Sequence, residues 1–278
     1  MRRRLSLTTR GWNGYSDNQH RAFKYLTDKK RITAEDLTKE LYHAKSFHLI
    51  CSAERCKDLV QQIRHKVTTS VSTHSTVSNR APGFIWEPVP DLAVASELDN
   101  VKEALRSVHV ISPNHEELAA LFDFEHPASG IDKAALEAQA QELVDHGIGF
   151  RKDGAIVVRA GKEGCYIAQN HSPESTPPNS KTISQWLPAY HTDPAMVVDP
   201  TGGGNGFLGG FAVGLVRSGG DVVEAAIWGS VAASFCIEQV GVPVLARGIE
   251  GEDERWNGAH VEETVGEFRR RVAELSSS

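Results

Sequence analysis

Two hydrophobic periods alternate along this chain. Short apolar runs of strand length, SFHLICS (46–52), FIWE (84–87) and VHVIS (108–112), read as buried strands. Longer stretches with helical spacing lie between and beyond them: ERCKDLVQQIRHKV, a helix from about Glu116, and AALEAQAQELVDHGI. AIVVRA (155–160) and CYIAQ (165–169) flank GKEG and read as adjacent strands. MVVD (196–199) reads as a strand ending in a glycine-rich turn, and 207–239 as two successive helices. Such β-α-β alternation implies a parallel or mixed sheet between helices. The Ser/Thr-rich stretch 68–80 and HSPESTPPNSKT (171–182) lack a packing face and read as exposed insertions.

Composition narrows the partners. The chain has 278 residues and a net charge of −6, so it lacks the basic surplus of a nucleic-acid-binding domain. The expected partner is a small molecule or another protein, and any bound anion must be held by local geometry. Four cysteines, at 51, 56, 165 and 236, show no CxxC spacing and are expected to be reduced thiols. The longest apolar-leaning stretch, 225–237, falls short of the ~20 residues of a membrane span. A cytoplasmic protein that engages no membrane is expected.

The chemistry concentrates in VVDPTGGGNGFLGGF (197–211). Successive glycines let backbone N–H groups converge, and at a helix N-terminus those donors form an anion site suited to a phosphate. A plain glycine turn before a helix would look the same. Gly204-x-Gly206-x-x-Gly209 also fits a dinucleotide fingerprint, but Glu224, at the spacing of its acid, sits in a helical pattern with no intervening strand. A Walker A loop is excluded because no G-K-[ST] follows.

Several segments together carry a resemblance. The glycine turn resembles the second signature of the ribokinase-like (PfkB) carbohydrate kinases, D-[ST]-x-G-A-G-D, and lies late in the chain as that signature does. SPNHEE (112–117) resembles the family's P-N-x-x-E segment, and VVRAGKEG (157–164) its strand, Gly-x-x-Gly, strand hairpin. Residues 232–243 resemble the helix and loop beside the adenine. WEPVPD, DPTGGGN and IEQVGVP resemble the fungal branch of the family named for maintenance of the killer virus. The resemblance implies a three-layer α/β/α sandwich with a mainly parallel central sheet over 45–278, preceded by a remnant of the lid and N-terminal region over 1–44. It implies ATP-dependent phosphoryl transfer to a sugar or nucleoside-like hydroxyl. The anion hole falls on Gly202, Gly203 and Gly204, and the pair that organises Mg²⁺ and phosphate on Asn114 and Glu117. Gly161 and Gly164 lie near the nucleotide, Asp199 near a monovalent cation such as K⁺, and the catalytic-base position is residue 205. A homodimer is compatible with the family.

Three departures pull the other way. Residue 205 is Asn, and an amide cannot accept a hydroxyl proton as a carboxylate would. Gly11 and Gly14 are the only glycines before residue 83, so the family's Gly-Gly motif is missing. The N-terminal sugar-binding portion is therefore expected to be missing, through a truncated gene or real degeneration. EPVPD (87–91) stands where sugar kinases carry D-P-N-x-R. Two functions follow: a PfkB-type sugar kinase, weak or silenced, or a nucleotide-binding pseudokinase working through protein partners. Other chemistries find no support. His115-Glu116 begins H-E-x-x-H, but residue 119 is Ala, and no G-x-S-x-G elbow is present.

Overall fold

A computed structural model describes residues 8–15, 21–70, 82–170, 182–247 and 254–276. The insertions expected at 68–80 and 171–182 lie mostly outside the described residues. The chain forms two compact units, 1–44 with 61–78, and 45–60 with 79–278.

The first unit contains an antiparallel hairpin of β1 (Gly11–Tyr15) and β2 (Arg21–Tyr25), with Gly11 opposite Tyr25. The Leu26 N–H donates to the Arg10 carbonyl at 2.8 Å and extends this pairing by one rung. A short helix, α1 (Lys39–Tyr42), follows, and Lys66 pairs with Glu35 at 2.7 Å.

The second unit is built on six strands in the order of the chain: β3 (Ser46–Cys51), β4 (Gly83–Pro88), β5 (Val110–Ile111), β6 (Ala155–Arg159), β7 (Cys165–Gln169) and β8 (Ile183–Leu187). The first four are parallel because helical crossovers join them: α2 (Ala53–Ser70), α3 (Leu98–Leu105), then α4 (His115–Leu121) with α5 (Lys133–His146). The last two run antiparallel: β7 returns from β6 through the short turn at Gly161–Glu163, and β8 pairs antiparallel with β7. Alternation along each strand separates two faces. Ile85, Val157 and Ile167 pack against α6 (Gly203–Arg217), α7 (Val222–Ile237) and α8 (Val261–Ser276). On the opposite face Tyr166 meets Trp186, whose indole N–H donates to Glu137 of α5 at 2.7 Å. Helices on both faces of a mainly parallel sheet make the α/β/α sandwich that the sequence implies.

One expected strand is missing. Residues 196–199 belong to no sheet. Pro194 opens a 3₁₀ turn, Pro194–Met196, which Asp193 caps by accepting the Ala195 N–H at 2.9 Å. The amides of Val198 and Asp199 then turn to the Ile237 carbonyl, at 2.8 and 3.1 Å, instead of a neighbouring strand. The expected strand 108–112 shrinks to two residues, and β8 takes the sheet position after β7.

Beyond α7 the chain forms a small sheet of β9 (Leu245–Ala246), β10 (Arg255–Trp256) and β11 (Ala259–His260), then α8. Arg271 ties α8 to the segment before the glycine turn. One guanidinium nitrogen donates to the carbonyls of Ala189 and Tyr190, both at 2.7 Å, while the group lies 4.6 Å from the centre of the Phe268 ring. No described helix is long and apolar enough to cross a membrane.

Candidate functional site

In an open parallel sheet, ligands gather at the carboxyl ends of the strands. Here those ends carry a buried charge cluster. Arg159 closes β6, and its Nη2 lies 2.8 Å from Glu87 Oε1 at the end of β4 and 3.5 Å from Glu117 Oε2 in α4. The same nitrogen donates to the Ser112 carbonyl at 3.1 Å. The other Glu87 oxygen accepts a hydrogen bond from His48 Nε2 on β3, at 3.0 Å. Arg159 and Glu87 are only 13% and 12% exposed, so each charge depends on the other for compensation. Burial pushes the Glu87 carboxyl up. The His48 hydrogen bond and the Arg159 charge outweigh it and hold the group below the ordinary carboxylate range.

The glycine turn meets this cluster from the other side. Asp199 starts it by accepting the Thr201 N–H at 2.9 Å, and this bond lowers the Asp199 pKa. Gly202 sits at φ +90°, a left-handed conformation that L side chains rarely adopt. The next residue begins α6, and no side chain caps that helix. The first amides of a helix lack internal acceptors and carry its partial positive charge. Gly204 lies against Arg159, so that an added Cβ would meet its Nη1 and push the guanidinium aside. The uncapped helix start and the guanidinium are thus neighbours. Asn205 is exposed, and its amide makes no hydrogen bond among the described residues.

The pair expected to organise metal is engaged locally. Asn114 Oδ1 accepts the Glu117 N–H at 2.7 Å, and Glu117 Oε2 accepts the Asn114 N–H at 2.8 Å, a capping box at the start of α4. Oxygen donors of this kind suit Mg²⁺. With these two atoms committed and Arg159 beside the same carboxylate, the pair fits the orienting of metal-bound waters rather than a closed cage. No group of three or more His, Cys, Asp or Glu able to hold a metal occurs among the described residues.

Gly161, at φ +55°, and Gly164 turn the chain between β6 and β7, immediately after Arg159. A Cβ at Gly164 would strike the backbone of Leu187 and Pro188. Asp199 is half-buried in the loop and has no ion pair among the described residues. The thiols offer no nucleophile. Cys51, Cys56 and Cys165 are buried and Cys236 half-buried, none of them in a disulfide, and burial pushes Cys165 up to about 12. The glycine turn, Asn114, Glu117 and the two hairpin glycines are legible in the sequence. His48, Glu87 and Arg159 as a unit are not, although charged residues ending the apolar runs FIWE and AIVVR are a signal.

The description "pfkB family carbohydrate kinase" matches residues 29–244, and the chain belongs to that family. An uncharacterized Schizosaccharomyces pombe protein is 31% identical over 281 residues, 98% of this chain and 72% of its own length. Protein MAK32 of Saccharomyces cerevisiae is 34% identical over 251 residues, 85% of this chain and 63% of its own. This chain therefore spans less than two thirds of MAK32. Among solved structures, Arabidopsis thaliana ribokinase complexed with ribose and ATP superimposes with a TM-score of 0.53 at 18% identity, over 92% of this chain and 69% of that one. Escherichia coli phosphofructokinase-2 in complex with potassium gives 0.52 at 12% identity, over 83% and 65%. These two likenesses concern the fold.

Proposed function

We propose that the chain binds ATP with its terminal phosphates at the glycine turn, and that any transfer to a sugar hydroxyl is slow. One juxtaposition carries this reading: an uncapped helix start at Gly202, Gly203 and Gly204, set against the Arg159 guanidinium. Amide donors and a fixed cation in a partly dehydrated corner stabilise the spread charge of a phosphoryl group in flight. Glu87 and Glu117 anchor Arg159, so its reach is set by two carboxylates rather than by a free side chain. Mg²⁺, arriving with the nucleotide, would neutralise phosphate charge, with Asn114 and Glu117 orienting its waters. Gly161, whose Cβ position is open, would leave room for the nucleotide, Gly164 would hold the hairpin beside it, and Asp199 would face a monovalent cation.

What the site lacks is a base. Asn205 occupies the position from which a carboxylate would take the hydroxyl proton, and losing that step costs ~10²–10⁴-fold in rate. That deficit favours, as the second reading, a pseudokinase that holds nucleotide and acts through a protein partner. Calorimetry with ATP and Mg²⁺ tests the first claim. A Val at position 203 would crowd the amides and the Ile237 side chain, 2.8 Å from an added Cβ. Gly203→Val should therefore abolish binding, and unchanged affinity in a folded variant would sink the assignment. Phosphoryl-transfer assays of Asn205→Asp separate the two readings. A gain approaching ~10²-fold marks a kinase missing its base, and no gain marks the pseudokinase.

A further inference from the structure

Helix α6 contains six glycines, and packing accounts for five. Gly203 and Gly204 press on Ile237 and Arg159. Gly206, Gly210 and Gly214 let α6 approach α7, since an added Cβ at each would lie 2.5–2.7 Å from Cys236, Ala232 or Trp228. Gly209 is different. Nothing lies within 4 Å of the position its Cβ would take. A glycine inside a helix costs roughly 0.5–1 kcal/mol relative to alanine, and here no neighbour requires it.

Gly209 instead lines a hollow of about 830 Å³. That volume falls in the range of small-molecule sites, ~300–1,000 Å³. Its apolar wall includes Val213, Phe235 and two indoles, Trp228 and Trp256. Both indole N–H groups are tied, to Glu224 and Glu254, each at 2.9 Å, so each ring is held in one orientation. The charged lining comprises Glu254, Glu262, Glu263 and one cation, Arg217, which pairs with Glu262. Glu263 has no ion pair among the described residues. The Arg217 guanidinium lies 4.8 Å from the centre of the Trp228 ring, so this wall already carries one flat cation.

We propose that this hollow binds a small, flat organic cation, an aromatic amidine or amine, with its ring against the indoles and its charge beside Glu263. None of Gly202, Gly203 and Gly204 lines this hollow. Benzamidine tests it, with neutral benzamide as the isosteric control, in a titration that follows the indole N–H resonances by NMR. Benzamidine should bind about tenfold tighter than benzamide and shift the Trp228 and Trp256 signals. Gly209→Leu, whose side chain would enter open space, should remove that binding while the protein stays folded. Glu263→Gln should erase the preference for the cation. Equal affinity for the two probes, binding that survives Gly209→Leu, or no benzamidine binding at all would each overturn the proposal.

Discussion

The two halves of the candidate site are built on opposite principles. The half made by β3, β4, β6 and α4 is buried and charged, with its two buried acids, Glu87 and Glu117, answered by a cation or a capped amide. The half made by the turn before α6 is exposed and bare: three glycines, an uncapped helix and an unbonded Asn205. Charge is therefore concentrated in the buried half, while the first turn of α6 offers only backbone amides and the uncharged Asn205. A site built this way is suited to holding an anion, and much less to removing a proton.

Breaking the buried half should have the largest effect. Glu87→Ala strands a guanidinium and a histidine in a low-dielectric corner, and urea unfolding should show a loss of about 3–5 kcal/mol. Gly204→Ala tests the junction between the halves. Its methyl would meet Arg159, so a loss of about 1–3 kcal/mol should accompany weaker ATP binding in calorimetry. Acid should reproduce part of the first effect. Because Glu87 titrates below its unfolded value, its stabilisation is complete above roughly pH 4.3 and is lost as pH falls through the lower folded value. Stability measured by urea unfolding should therefore fall more steeply between pH 6 and pH 3 for the wild type than for Glu87→Gln. The smallest effect belongs to the bare half: Asn205→Asp adds a negative charge to the first turn of α6 and should raise stability by only ~0.3–1 kcal/mol.

The legible parts were those fixed by local pattern. AIVVR and CYIAQ announce a hairpin because apolar runs flank a glycine turn, and both strands form. Gly202 is legible because a left-handed residue before a helix needs glycine. MVVD failed because apolar content does not make a strand without a partner, and Pro194 had already committed the chain to a turn. The Glu87–Arg159–Glu117 cluster joins residues 30 to 72 positions apart, a proximity that only the sheet order supplies. The hollow under Gly209 was equally hidden, since part of its wall comes from the β10–β11 hairpin, which no sequence period marked.

The Arg271 clasp gives the far end of the chain a hold on this corner. The carbonyls it grips, Ala189 and Tyr190, belong to the segment that leads through Asp193 to the glycine turn. A protease that clips within α8, or a fusion partner that pries the helix loose, would leave every residue of the candidate site in place. It would still slacken the strap that sets the angle at which the turn arrives. Bulky tags are thus safer kept away from this end when binding is to be measured.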